Sequence, residues 1–334
     1  MPSPVIAEVL RGLAIESQHY GAVAVVDANG DTVFGIGDVQ RPIFPRSSVK
    51  AFHAMPLLET GAAERLGLSL AEIALAVGSH SGEPDHVRTA LSMLGKAGQN
   101  PDRLECGAHW PLSSEAARAL AGRGSTPISV HNSCSGEHSG FLCLASALAV
   151  DHLGYVAPDH RVQREVIASI ECIVETKLGS DARGTDGCSI PTYAIPLRAI
   201  AHGFARFGTG QGIGPAKKKA AEQIRLAAAR HPFMVAGTKR FDTMLMAALG
   251  SRAFVKAGAE GVHCAALPEL GLGIAIKCDD GAGRAAEVVM AAVIQRFLSL
   301  SDVEAATVDQ LGDRILRNWN GIEVGRVRAI GIRS

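Results

Sequence analysis

The chain has 334 residues, 47% of them hydrophobic and only 4% aromatic, with basic and acidic residues balanced at 33 each. That balance leaves no global field to draw nucleic acid or an anionic membrane. The longest apolar stretches, such as Ala291-Ala292-Val293-Ile294, fall far short of the ~20 residues that a membrane-spanning helix requires. The length allows one large or two ordinary domains around a sizeable core. Met1-Pro2-Ser3-Pro4 carries no basic segment leading into an apolar one, so no secretory signal is expected. Seven cysteines, at 106, 134, 143, 172, 188, 264 and 278, form an odd set without framework spacing. Free thiols in a cytoplasmic protein are the expectation.

In chain order, residues 5–36 read as strands. Ala22–Val26 is a short buried run, Asn29-Gly30 is a hairpin signal, and Thr32–Ile36 returns. Pro42 and Pro45 bring the chain in extended, and a helix is predicted from near Ser47 to about Thr60-Gly61. An apolar run, Ala71–Val77, ends in the glycine-bracketed loop Gly78-Ser79-His80-Ser81-Gly82-Glu83, after which Pro84 starts a helix to about Leu94. Helices are predicted at Ser113–Ala121, Ser135–Val150 and Val162–Val174, then at Leu197–Phe207, Ala216–Arg230 and Phe241–Leu249. Between them lies a loop-rich stretch, Gly179–Ile190. The final part returns to strands at Ala253–Lys256, Val262–Leu267 and Leu272–Lys277, then a helix at Ala285–Leu298 and a last strand at Ile322–Ile332. Strands at both ends around helices imply an α+β fold, with a mainly antiparallel sheet built from both termini. A single unit over 1–334 is expected, its sheet part approximately 1–45 and 250–334 and its inserted helical part approximately 46–249.

Four groups of residues could carry chemistry. In Arg46-Ser47-Ser48-Val49-Lys50, a helix places Ser47 and Lys50 on one face, where a neutral amine can take the proton of an attacking hydroxyl. Alone, Ser-x-x-Lys is a chance-level motif. Lys256-Ala257-Gly258, at a strand end, is either a surface lysine or a second ammonium that helps to keep Lys50 neutral. Ser79 could relay protons or bind a substrate carboxylate, while Ser81 or Gly82 caps the following helix. In the fourth group, Cys134, Glu137 and His138 fall at i, i+3 and i+4 near a helix start, and Cys188 follows in a glycine-rich loop. Two thiols with a carboxylate or imidazole suit tetrahedral zinc; two buried cysteines beside a capped helix are the alternative.

Taken together, Arg46-Ser47-x-x-Lys50, Ser79-His80-Ser81-Gly82-Glu83, Cys106-Gly107-x-His109, Asn132-x-Cys134-Ser135-Gly136, Asp186-Gly187-Cys188 and Lys256-x-Gly258-Ala259-Glu260-Gly261 stand in an order that resembles the L-asparaginase II family of the Rhizobium etli type, the class 3 asparaginases. The resemblance runs over roughly residues 5–332. It implies a fold similar to serine β-lactamases and glutaminases, a homodimer, and hydrolysis of L-asparagine to L-aspartate and ammonia. It also implies two Ser-Lys pairs, Ser47 with Lys50 and Ser79 with Lys256, beside one zinc per subunit held by Cys134 and Cys188. The family's third ligand is a lysine, where this chain has Glu137. A carboxylate needs no deprotonation at pH 7, so Glu137 is expected to replace it, with His138 as second choice. Arg46, Asp186, Glu83 and Asn132 match the substrate pocket, Arg46 and Asp186 holding the α-carboxylate and α-amino groups.

The expected mechanism is acyl transfer through Ser47, with Lys50 as base and backbone N–H groups near the helix start as oxyanion donors. Rival expectations are a glutaminase or broader amidase, a penicillin-recognising hydrolase (against which Ala257 stands where a threonine would be) and a non-catalytic protein that binds zinc or an amino acid.

Overall fold

The computed structural model describes residues 2–332, so residues 1, 333 and 334 of the expected single unit lie outside the described residues. Backbone contacts divide the chain into two compact units: Met1–Ser48 with Ile195–Thr209 and Ala247–Ser334, and Val49–Ala194 with Gly210–Met246.

The first unit is built on one antiparallel sheet of eight strands. They are β1 (Val5–Arg11), β2 (Ala14–Asp27), β3 (Thr32–Ile36), β4 (Phe254–Ala257), β5 (Val262–Leu267), β6 (Leu272–Cys278), β7 (Asp313–Arg317) and β8 (Glu323–Ala329). Their order is β7-β8-β1-β2-β6-β5-β4, with β3 also on β2. The fold is thus α+β, its sheet drawn from both ends of the chain. β2 is long because it serves two partners: Ala14–Tyr20 pair with β1, and Gly21–Asp27 with β6. Val23, Ala24, Val25 and Val26 are fully buried, as are Ile274, Ala275 and Ile276 opposite them. Each such valine or isoleucine contributes about 1.5–3 kcal/mol on burial.

The helix Leu197–Thr209 packs on β2, β5 and β6, although the sequence reading grouped it with the helical stretch. Its seat is Gly273 of β6, where a Cβ would lie 1.9 Å from Ala201 O. The sequence reading also lacked a helix at Asp302–Gly312 and the strand β7. The helix had a visible start signal, the reciprocal capping box of Ser301 and Glu304. β7 reads Asp-Arg-Ile-Leu-Arg, with too few β-branched residues to stand out.

The second unit is helical. At its centre, the helix Ser135–Leu148 buries every residue from Ser135 to Ala145 among the helices Met55–Glu59, Ala62–Arg65, Leu70–Ala76, Pro84–Lys96 and Arg161–Val174. A helix buried on all sides over most of its length has to be central, because it has no face to give to water. It stops at Leu148, with Ala149 in the left-handed region. The apolar run that the sequence left unassigned is the helix Leu70–Ala76, started by a Ser69–Glu72 capping box. No helix among the described residues is long and apolar enough to cross a membrane.

Candidate active site and metal cluster

The predicted Ser47 helix is broken into shorter pieces. Arg46–Val49 form a 3₁₀ turn, and α-helix starts at Lys50, pauses at Ala54 and resumes at Met55–Glu59. Arg46 has φ 53°, a left-handed conformation that a non-glycine residue adopts only when its surroundings impose it. Ser47 is half-buried. Ser48 is fully buried and structural: its hydroxyl donates to Pro45 O at 2.7 Å and receives the Cys264 thiol at 3.4 Å. Ser48 N–H also donates to Pro45 O, at 3.2 Å, so of the amides expected to serve as oxyanion donors this one is already engaged.

Cys264 stands directly opposite Lys256 in the β4–β5 register. The Lys256 strand therefore lies beside the partner of Ser48. Gly258 completes that approach, since a Cβ there would be 2.7 Å from Pro45 O and 3.0 Å from Ser48 N. Lys256 is buried, with its amine donating to Ala257 O at 2.7 Å. Surface lysine, the alternative reading of this residue, is excluded.

In the helical unit, Lys50 is 1% exposed. Its amine donates to Gly78 O at 3.0 Å, next in sequence to Ser79, and lies 3.1 Å from Glu137 Oε2. The other carboxylate oxygen, Oε1, receives His53 Nδ1 at 2.7 Å. Burial alone would favour a neutral Lys50, but the negative charges of Cys134 and Glu137 outweigh it and hold the ammonium form. This reverses the neutral base expected from sequence, which could not anticipate so much negative charge around one amine. Burial by itself would likewise raise Glu137, yet Lys50 and His53 bring it down to about 2.

Cys134, Glu137 and Cys188 are all buried, with one ligand atom from each within 4.8 Å of the others. Cys134 is lowered to about 6, first by the hydrogen bond from Cys188 and then by Lys50, so the pair holds one thiolate and one thiol. Cys134 is placed by Asn132, whose Oδ1 accepts Cys134 N–H at 2.8 Å while Nδ2 donates to Cys106 O and Gly107 O. Asn132 thus shapes the cluster. Cys188 is delivered by the turn Asp186–Ile190, closed by Asp186 N donating to Ile190 O at 2.8 Å, and Asp186 Oδ1 accepts Gly187 N–H.

His138 lies outside the cluster. Its Nδ1 shares a hydrogen bond of 2.7 Å with the Tyr155 hydroxyl, which also accepts Glu105 N–H at 2.8 Å. Burial lowers His138 to about 4, and Nε2 has no hydrogen-bond partner.

Ser79 is half-buried, and its N–H donates to Val235 O at 2.8 Å. Alongside, Ser81 Oγ donates to Ala236 O at 2.8 Å, and Glu83 accepts Thr238 N–H at 2.8 Å and the Thr238 hydroxyl at 2.6 Å. Both Glu83 oxygens are therefore committed to Thr238. The cap that the sequence assigned to Ser81 or Gly82 falls instead on Glu83, paired with His86. Sequence reasoning missed His53 and Tyr155. His53 could have been found, since it sits three residues beyond Lys50 and so on its helical face.

A family model described as L-asparaginase II matches residues 7–329. No curated protein is significantly similar in sequence. Among solved structures, one described as "Crystal Structure Analysis of Mglu in its native form" is similar at 16% identity with a TM-score of 0.38. The likeness covers 84% of this chain and 66% of that one, and a TM-score of that size carries no argument about fold.

Proposed function

The chain belongs to the L-asparaginase II family, and on that premise we propose that it is an amidohydrolase converting L-asparagine to L-aspartate and ammonia. The observation that carries the reading is the family match over nearly the whole chain. It is supported by Lys50, buried and one residue's reach from Ser79 through Gly78 O. The α+β sheet drawn from both termini is compatible with a scaffold like that of serine β-lactamases and glutaminases, which belongs to the proposal, as do a cytoplasmic location and a homodimer.

In the proposed reaction Lys50 first gives up the proton that Cys134 and Glu137 hold on it; Ser47 Oγ then bonds to the side-chain amide carbon and its proton passes to the neutral Lys50 Nζ. The amide nitrogen leaves as ammonia, taking a proton from the Ser-Lys pairs. Water then attacks the acyl-Ser47 ester, releasing aspartate and restoring the serine hydroxyl. Ser79 and Lys256 form the second pair, which relays protons. Arg46 and Asp186 bind the α-carboxylate and α-amino groups. Glu83, held by Thr238, and Asn132, held at Cys106, Gly107 and Cys134, are the further residues assigned to the substrate in this proposal.

Cys134, Cys188 and Glu137 are a donor set that fits zinc: two thiols and a carboxylate, all buried, with Glu137 Oε2 facing the Lys50 amine at 3.1 Å. When bound, a divalent cation supplies positive charge that offsets the thiolate and carboxylate holding the Lys50 proton. Lys50 Nζ is the atom that would give up and take back this proton.

Ammonia release from L-asparagine and from L-glutamine, each with and without a chelator, tests the proposal. L-asparagine is expected to be the faster substrate, with activity lost in Ser47→Ala and no acyl adduct on that variant by mass spectrometry. Faster turnover of L-glutamine would move the reading to a glutaminase, and no turnover of either amide would leave a binding protein. A persistent adduct on Ser79 would overturn the assignment of the nucleophile.

A further inference from the structure

Two histidines that the proposed reaction does not use stand behind Ser79. His80 and His86 are both wholly buried in the helical unit. Their rings stack at 4.9 Å between centroids and 17° between planes, and His86 stacks in turn on Phe233 at 4.3 Å and 13°. A buried neutral imidazole has two nitrogens to satisfy, one as donor and one as acceptor.

The hydrogen bonds fix which nitrogen is which. His80 Nδ1 accepts Gly82 N–H at 3.1 Å, and His86 Nδ1 accepts Glu83 N–H at 3.1 Å. A ring nitrogen that accepts carries no proton, so each neutral ring holds its hydrogen on Nε2. The partners of Nε2 agree. His86 Nε2 faces Phe233 O at 2.9 Å, and a carbonyl can only accept. His80 Nε2 faces Ser135 Oγ at 2.9 Å, whose own proton goes to Val130 O at 2.9 Å. A proton on either Nδ1 would set donor against donor at two successive loop amides. Burial disfavours the charged form of both rings, and at His80 the positive charges of His86, Lys50, His109 and His131 act the same way. At His86 the Phe233 carbonyl and Glu83 oppose burial without overcoming it.

His80 reaches in two directions. Its main-chain N–H donates to Ser133 O at 3.1 Å and its ring to Ser135 Oγ, so one residue grips both neighbours of Cys134. Towards the loop it fixes Gly82, which has φ 70° and where a Cβ would lie 2.9 Å from His131 O and 3.0 Å from Pro111 Cα. Ser79 directly precedes His80, and Gly78 O accepts the Lys50 amine. A displaced ring therefore moves Ser79, Gly78 O and the Cys134 turn together.

We infer that His80, backed by His86 and Phe233, is a positioning residue: held with its hydrogen on Nε2, it keeps the Ser79 loop in register with the Cys134 turn. Its part in turnover rests on the proposed function, whereas its tautomer does not.

The test uses the full chain. Nitrogen-15 shifts of histidine-labelled wild-type protein separate protonated from bare ring nitrogens, and His80→Gln identifies the His80 signals. At pH 7 a bare Nδ1 and a protonated Nε2 are expected for His80. With rates taken per folded chain, His80→Ala is expected to lower kcat for L-asparagine about 100-fold with KM little changed, as a displacement of about 1 Å does. His80→Asn keeps an acceptor near the Nδ1 position and is expected to recover about tenfold of that loss, the worth of one hydrogen bond. Should His80→Ala not fold, the asparagine variant is set against the wild type, where it is expected to be about tenfold slower. A proton on His80 Nδ1 overturns the inference. So does an unchanged kcat in His80→Ala, or an asparagine variant no faster than the alanine one or, in the second comparison, as fast as the wild type. A wild type that releases no ammonia while its spectrum shows the expected tautomer overturns the proposed function, and the part of His80 in turnover with it, but not the placement of the ring.

Discussion

Replacing Glu137 by glutamine keeps the shape of the side chain and removes its charge from a site where nothing else exposed can compensate. Glu137 is wholly buried, 3.1 Å from the Lys50 amine and 2.7 Å from His53 Nδ1. Its carboxyl falls from an ordinary 4.5 to about 2, which at about 1.36 kcal/mol per pH unit corresponds to about 3 kcal/mol of folding free energy. Breaking one partner of a buried ion pair costs about 3–5 kcal/mol by an independent route, so the two agree. Unfolding entropy of about 2.1 cal/mol/K per residue converts that loss into a fall in Tm of about 4 °C for this chain. The sign with pH follows from the direction of the shift. A depressed carboxyl contributes in full above 4.5, and its contribution disappears as pH falls towards 2. Thermal melts of chelator-treated wild-type and Glu137→Gln protein should therefore differ by about 4 °C at pH 7 and converge between pH 4.5 and 2. Equal melting temperatures at pH 7, or a gap that persists unchanged at pH 2.5, would refute the assignment of that stability to Glu137.

Two further outcomes follow from the same geometry. Metal analysis of protein dialysed against zinc should find about one ion per chain, lost in Cys134→Ser, Cys188→Ser and Glu137→Ala but retained in His138→Ala. Loss in the last variant alone would hand the third ligand to histidine. Gly258→Ala forces a Cβ against Pro45 O and Ser48 N, both backbone atoms that cannot swing aside. About 1–3 kcal/mol of destabilisation is expected, with at least tenfold slower turnover because the Ser47 turn is displaced. Wild-type melting and kinetics would show that the strand end does not set that turn.

Much of the sheet was legible because its signals are local. Asn29-Gly30 declares a turn, and the Val23–Val26 run declares a buried strand by composition alone. The motif residues were legible for a different reason: their order along the chain is specific even where each one is commonplace. What the sequence concealed is long-range electrostatics. Lys50 and Glu137 are separated by most of the helical unit, and no periodicity links them. Their pairing therefore turned an expected free base into a charged amine. The kinked start at Arg46 was concealed too, because arginine has no propensity for a left-handed conformation and only the packed surroundings hold it there. Glu83 reads as a free carboxylate until Thr238, 155 residues later, returns to occupy both its oxygens.

Arg46 has one more consequence, in the ease with which the protein could be improved in the wrong direction. A left-handed arginine costs on the order of 1 kcal/mol that glycine at the same position would not, so selection for heat resistance alone would drift towards losing it. The guanidinium that would hold a substrate carboxylate goes with it. Robustness and turnover would then compete at a single codon, directly before the serine assigned to the chemistry.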